Sequence, residues 1–298
     1  MKRLLVLSCY VLLFASSAVP AEERLITLGR PTSEVQRTYN ELYPIAVYLG
    51  ERLQAQGING GDVVLDGKNS RKATLKLIQA GKIDLVFETP YSALHFIKET
   101  GAIPLLSIAR DGEAQEYRSL IFTRQDTGIK RLKNLIGHII AFEDPGSTSA
   151  YHLPRTALEA AGLELVALAS PEAAVPEGKV GYVFAGSELN ISSWVYFQCT
   201  DAGALSNLDW YSQDENPEAF RKDFAIIYET WSIPRMLVLA RPDLAPEITA
   251  AVKRVLLAMP HSKAGRQALK GFDISHFYPI EDAKTYIENL ENSLHTAN

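Results

Sequence analysis

The sequence predicts an α/β fold with mainly parallel sheets, on three observations. Short apolar runs alternate with amphipathic segments along most of the chain. The amphipathic segments keep helical spacing, and several of them end at a glycine. No internal repeat or low-complexity stretch breaks the order. The runs expected to form strands are 25–28, 63–65, 83–87, 103–108, 120–122, 139–142, 180–184, 225–228 and 236–239. Between them, Leu42, Ala46, Leu49 and Leu53 trace one helix face that stops at Gly57. Ala73, Leu77 and Ala80 trace a second, with Ser70 as its N-cap candidate and Gly81 as its stop. Leu153, Ala157 and Ala160 precede Gly162, Ile248, Val252, Val255 and Met259 follow later, and Tyr286, Leu290 and Leu294 mark a terminal helix.

The chain opens with Lys2 and Arg3, then an apolar run to Ala15, then small residues ending at Ala21. This reads as an export signal, residues 1–21, cut after Ala21. The run is shorter than the roughly 20 residues that span a bilayer. Cys9 follows Val6, Leu7 and Ser8, and Leu7 is a poor fit where lipidation wants a small residue. If Cys9 leaves with the signal, Cys199 is the one remaining thiol and an intrachain disulfide is excluded. Without Lys2 and Arg3, 28 basic residues face 35 acidic ones, a formal charge of −7. That balance argues against a nucleic-acid partner, and a monomer is expected.

Two polar stretches, 112–116 and 208–222, suggest breaks. They place a discontinuous first lobe at 22–116 and 230–298 and a second lobe at 117–229, with the paired crossovers as a hinge.

The most informative segment runs from Ala141 through Phe142, Glu143, Asp144, Pro145 and Gly146 to Ser147, Thr148, Ser149 and Ala150. An apolar run ends, a Pro-Gly turn follows, and three hydroxyls precede a helical pattern. A helix start offers unpaired N–H groups and the positive end of a dipole, so hydroxyls there suit an oxyanion without any Lys or Arg. An ordinary N-cap would also use Ser or Thr, but needs only one. Ser149 and His152 share a helix face, yet the nucleophile elbow of hydrolases is missing and no enzyme is expected. His95, His138, His261 and His276 show no metal spacing, and neither a metal nor a cofactor is expected.

An ordered set of short motifs resembles the phosphate/phosphite/phosphonate-binding proteins of ABC transporters, type II periplasmic binding proteins. It comprises Leu28-Gly29-Arg30-Pro31, Tyr43-Pro44, Ala80-Gly81-Lys82-Ile83-Asp84, Pro90-Tyr91, Tyr117-Arg118-Ser119, Leu132-Lys133-Asn134-Leu135-Ile136-Gly137, Asp144-Pro145-Gly146-Ser147-Thr148-Ser149, Asp201-Ala202-Gly203-Ala204 and Ile233-Pro234.

The resemblance implies two lobes, each a mostly parallel sheet flanked by helices, joined by a two-strand hinge and closing on a ligand. It implies that Ser147, Thr148 and Ser149 hold a phosphonate or phosphate head. Glu88, Thr89 and Tyr91 would line the cleft from the first lobe, Ser187, Glu188 and Asn190 from the second, and Arg30 would stand at the rim. It also implies a periplasmic location and an ABC permease as partner; a histidine kinase or chemoreceptor partner is the alternative reading.

Three positions depart from the family pattern. Ser187 stands where a His is usual, Ala150 where a Gly is common, and Glu88 near another expected Gly. A buried carboxylate needs a partner, so Glu88 should face a cation or solvent. With Glu188 it would suit a zwitterion, such as an aminoalkylphosphonate.

Overall fold

The computed structural model describes residues 24–67, 71–110 and 116–295. The export-signal segment, Ser70 and most of the polar stretch at 112–116 lie outside the described residues.

Two six-stranded sheets carry the architecture. The first contains β1 (Leu25–Gly29), β2 (Gly60–Val63), β3 (Leu85–Glu88), β4 (Ile103–Arg110), β13 (Met236–Ala240) and β14 (Ile274–Pro279), in the order β14-β4-β13-β3-β1-β2. The second contains β6 (Ser119–Arg124), β7 (Ile139–Phe142), β8 (Leu165–Ala167), β9 (Val180–Phe184), β10 (Ala202–Ser206) and β11 (Phe224–Glu229), in the order β11-β6-β10-β7-β9-β8. A two-stranded ribbon links them. In it β5 (Glu116–Tyr117) pairs antiparallel with β12 (Ile233–Pro234), Tyr117 lying opposite Ile233. The chain leaves the first sheet after Arg110 and re-enters it at Met236, so both passages run through this ribbon.

Burial follows the alternation that a strand imposes. In β13, Met236, Val238 and Ala240 join one core cluster while Leu237 and Leu239 join the cluster on the opposite face. The first cluster is covered by α1 (Val35–Arg52), α7 (Pro246–Ala258) and α8 (Lys263–Leu269). The second is covered by α2 (Arg71–Gln79), α3 (Pro90–Thr100) and α9 (Ala283–His295). The second sheet is likewise layered, with α4 (Leu153–Ala160) on one face and α5 (Glu188–Tyr196) and α6 (Glu218–Arg221) on the other.

Two expectations need correction. The sheets are mixed rather than mainly parallel. β1, β2 and β3 pair in parallel, but β13 is antiparallel to both β3 and β4, and β14 is antiparallel to β4. In the second sheet, β6 is antiparallel to both β10 and β11. The strands that run against the rest of their sheets are β13, β14 and β6; β13 and β6 adjoin the ribbon, where the chain enters a sheet without a crossover helix to return it, and β14 is an edge strand. The second correction concerns α2, whose fully buried residues are Thr74 and Ile78, one position round from the expected face; Leu77 packs half-buried against the same cluster and Ala80 is exposed. No helix among the described residues is long and apolar enough to cross a membrane.

Candidate functional site

A cavity of about 470 Å³ opens where the ends of the strands of the two sheets face each other. Its second-sheet wall begins with β7, whose four residues are all buried. The chain turns sharply beyond Phe142. The Asp144 carboxylate accepts the Gly146 N–H at 2.5 Å, and the Ser147 N–H donates to the Asp144 carbonyl at 3.1 Å. Ser147 then caps the following turn, its Oγ accepting from the Ala150 N–H at 3.1 Å.

The turn at Thr148–His152 is one residue wider than an α-helical turn and runs into α4, with Pro154 in the first helical turn. Thr148 and Ser149 are buried, at 1% and 6% exposure, and both line the cavity with Ser147. Each hydroxyl keeps a proton to donate even where its oxygen already accepts a bond.

The first-sheet wall meets this turn directly. The Tyr91 N–H donates to Thr148 Oγ1 at 3.2 Å. The Tyr91 ring stacks on His152, meets His95 edge-on, and lies under the Arg71 guanidinium at 5.5 Å. Burial holds the His152 imidazole neutral, with its pKa down to about 3 against the opposing pull of its bond to the Pro145 carbonyl.

Glu88, at the end of β3, is 4% exposed. Its Oε1 accepts from the Thr89 N–H at 2.7 Å and the Thr89 hydroxyl at 3.1 Å, and the cation facing it is Arg30, 3.8 Å away. Thr89 and Arg30 also line the cavity.

On the second-sheet side, Ser187 caps α5 by accepting from the Asn190 N–H at 3.2 Å, and the Asn190 side chain donates to the Ala185 carbonyl at 2.8 Å. These two residues brace the turn that carries Glu188 into the cavity. Neither of them is among the lining residues, and nor is Tyr91. The sequence-named residues brought together in the cavity are therefore Arg30, Glu88, Thr89, Ser147, Thr148, Ser149 and Glu188.

Sequence reasoning missed the charge that surrounds them. Arg71, Arg110 and Arg235 join Arg30, and Glu143 and Asp144 join Glu88 and Glu188. Arg110 ends β4 and pairs with Asp273 at 3.2 Å, while Arg235 covers the Tyr117 ring at 4.8 Å. Burial pushes the Tyr117 phenol up; the Arg235 charge and the Ser149 and Thr148 hydroxyls beside it pull the other way. The sequence offered one usable signal, since Arg110 and Arg235 each lie at a crossover between lobes, where a side chain can reach the cleft.

A model of the ABC-transporter phosphonate periplasmic substrate-binding protein family matches residues 30–285. Among solved structures, XAC2383 of Xanthomonas citri is 29% identical over 90% of this chain and 96% of its own. It superposes with a TM-score of 0.85 in its chloride-bound form and 0.83 in its ATP-bound form. PhnD1 of Prochlorococcus marinus, solved with methylphosphonate, is 20% identical over 91% of this chain and 97% of its own, with a TM-score of 0.66. A binding-protein component of an ABC phosphonate transporter from Pseudomonas aeruginosa is 17% identical over 93% of this chain and 90% of its own, with a TM-score of 0.64. These likenesses share the two-lobed type II periplasmic binding protein fold.

Proposed function

Since the chain belongs to the ABC-transporter phosphonate periplasmic substrate-binding protein family, a group of transport receptors rather than enzymes, we propose that it captures a phosphonate- or phosphate-like anion between its lobes and hands it to an ABC permease. One observation carries this reading: four arginines and a run of three hydroxyls at a helix start converge on one cavity. Hydroxyl donors together with guanidiniums match an oxyanion head in both charge and geometry. Ligand contact with both lobes favours the closed state by differential affinity, and no bond has to be made or broken. The family places the protein outside the cytoplasmic membrane; export through residues 1–21, cut after Ala21, is part of the proposal.

A cationic group on the ligand is the finer part of the reading. Arg30 and Thr89 already engage Glu88, so an amino group would meet Glu188 with Glu143 beside it.

The test is a thermal-shift screen followed by titration calorimetry. Its panel holds phosphate, phosphite, methylphosphonate, 2-aminoethylphosphonate, methanesulfonate and amino acids. ATP is added because XAC2383 has been solved with it. A phosphorus oxyanion should raise the melting point by mass action, by about 2.7 kcal/mol of stability at a hundredfold excess over Kd. Stabilisation by amino acids alone would overturn the proposal.

A further inference from the structure

Glu143 and Glu188 reach one cavity from the ends of two neighbouring strands: Glu143 directly follows the last paired residue of β7, and Glu188 opens α5 after the three-residue turn that leaves β9. Phe142 lies opposite Phe184 in that register, so the two turns start level and carry their carboxyls to the same wall. Two carboxyls sharing a site cannot both ionise cheaply.

Their surroundings on the second-sheet side deepen this. Asp144 lies next in the chain to Glu143. Asp209 presses on both carboxyls and Glu215 on Glu188, while the Ser147 hydroxyl hydrogen-bonds Glu143. The cations of the cavity come from elsewhere: Arg30 is turned to Glu88, Arg110 to Asp273, Arg235 to the Tyr117 ring and Arg71 to the Tyr91 ring.

We propose that Glu143 and Glu188 form a proton-sharing pair that decides which ligand charge this wall of the cavity accepts. With protons on the pair, its O–H groups donate to a ligand oxyanion. Without them, the same oxygens are a counter-ion for a ligand ammonium. Burial first, then the neighbouring carboxylates, pushes Glu143 up to about 7 and Glu188 up to about 9, so the change of state falls across neutral to mildly alkaline pH.

A bound anion disfavours the charged pair and so retains protons, and its affinity must fall as pH rises through this window. A bound ammonium does the reverse. The pair thus sorts phosphonates by whether they carry an amino group, and the sorting shifts with the acidity of the compartment.

This inference rests on the binding function proposed above, and the experiment separates the two. Carboxyl-carbon NMR of the ligand-free protein should show two carboxyls titrating well above the ordinary glutamate value of 4.5, with Glu143→Gln lowering the midpoint of Glu188. Both titrating at ordinary values would overturn the pair whatever the ligand. Calorimetry with methylphosphonate and 2-aminoethylphosphonate then compares the native protein with Glu143→Gln/Glu188→Gln, which cancels the ligands' own ionisation. Relative to that variant, methylphosphonate affinity should fall by up to about tenfold per pH unit above neutrality and the aminated ligand's should rise. Parallel profiles in the two proteins would overturn the pair. If the double variant does not fold, Glu143→Gln alone serves: without its partner's repulsion Glu188 titrates lower, and the fall in methylphosphonate affinity should begin at a lower pH than in the native protein. If neither phosphonate binds at any pH, the proposed function falls and the carboxyl titration alone decides the pair.

Discussion

Thr148 serves both lobes with a single hydroxyl. Its oxygen accepts the Tyr91 N–H, and its proton is the donor it offers to the Tyr117 phenol beside it or to a ligand in the cavity. Thr148→Val keeps the shape and removes both roles. It should weaken binding of the anion identified in the screen by tenfold or more, since one bond to a charged group contributes about 1.5–3 kcal/mol. Thr148→Ser should stay close to native. Calorimetry on the three proteins checks this, and equal affinities would remove Thr148 from the proposed site. The hydroxyl run was legible because all its residues are contiguous and sit where helix-start chemistry gives them meaning. The arginines were not. Apart from Arg30, which the family resemblance placed at the rim, they come from separated segments: Arg71, Arg110 and Arg235 become its neighbours only through the fold. Ser187 and Asn190 show the reverse ambiguity, because a polar residue at a helix start serves the backbone as readily as a ligand, and these two serve the backbone.

Elements whose burial pattern is strong could be read directly, and those that depend on neighbours could not. Each of the nine expected apolar runs overlaps or adjoins a strand. β10 escaped because Ala202–Ser206 is built of small residues with weak strand preference, yet it lies between β6 and β7 and every residue in it is buried. β14 escaped because Ser275, His276 and Pro279 break the apolar signal of an edge strand. Small residues are also what let elements approach closely. At Gly61 in β2, a Cβ would fall 1.8 Å from the Ala46 carbonyl oxygen of α1, so helix and strand touch backbone to backbone. Gly61→Ala has to push α1 outward and should cost about 1–3 kcal/mol, the usual range for overpacking. Urea unfolding should show a lower midpoint with an unchanged slope. A native midpoint would mean that the helix gives way freely.

At the scale of the whole molecule, the lobes already touch on the cavity side. The Tyr91 N–H bonds Thr148, its ring stacks on His152, and Leu153 of α4 packs into the first-lobe cluster with Ala93 and Leu290. On the ribbon side, Tyr117 and Ile233 are both 1% exposed, and Thr230 and Ser119 exchange two hydrogen bonds, so both passages between the lobes are held at one place. A molecule joined at one edge and touching at the other has two arrangements available, with the cavity between them. Contacts that exist only when the lobes meet set how far the empty protein favours closure, and ligand affinity scales with the closed fraction. Tyr91→Ala leaves the backbone bond to Thr148 in place and does not alter a cavity-lining side chain, but it deletes the ring that bridges to His152 and Arg71. The empty variant should therefore scatter X-rays with a larger radius of gyration than the native protein. Its ligand affinity should drop by the factor by which the closed population falls, while the saturated forms of the two proteins coincide. An unchanged radius together with weakened binding would instead make Tyr91 a direct ligand contact.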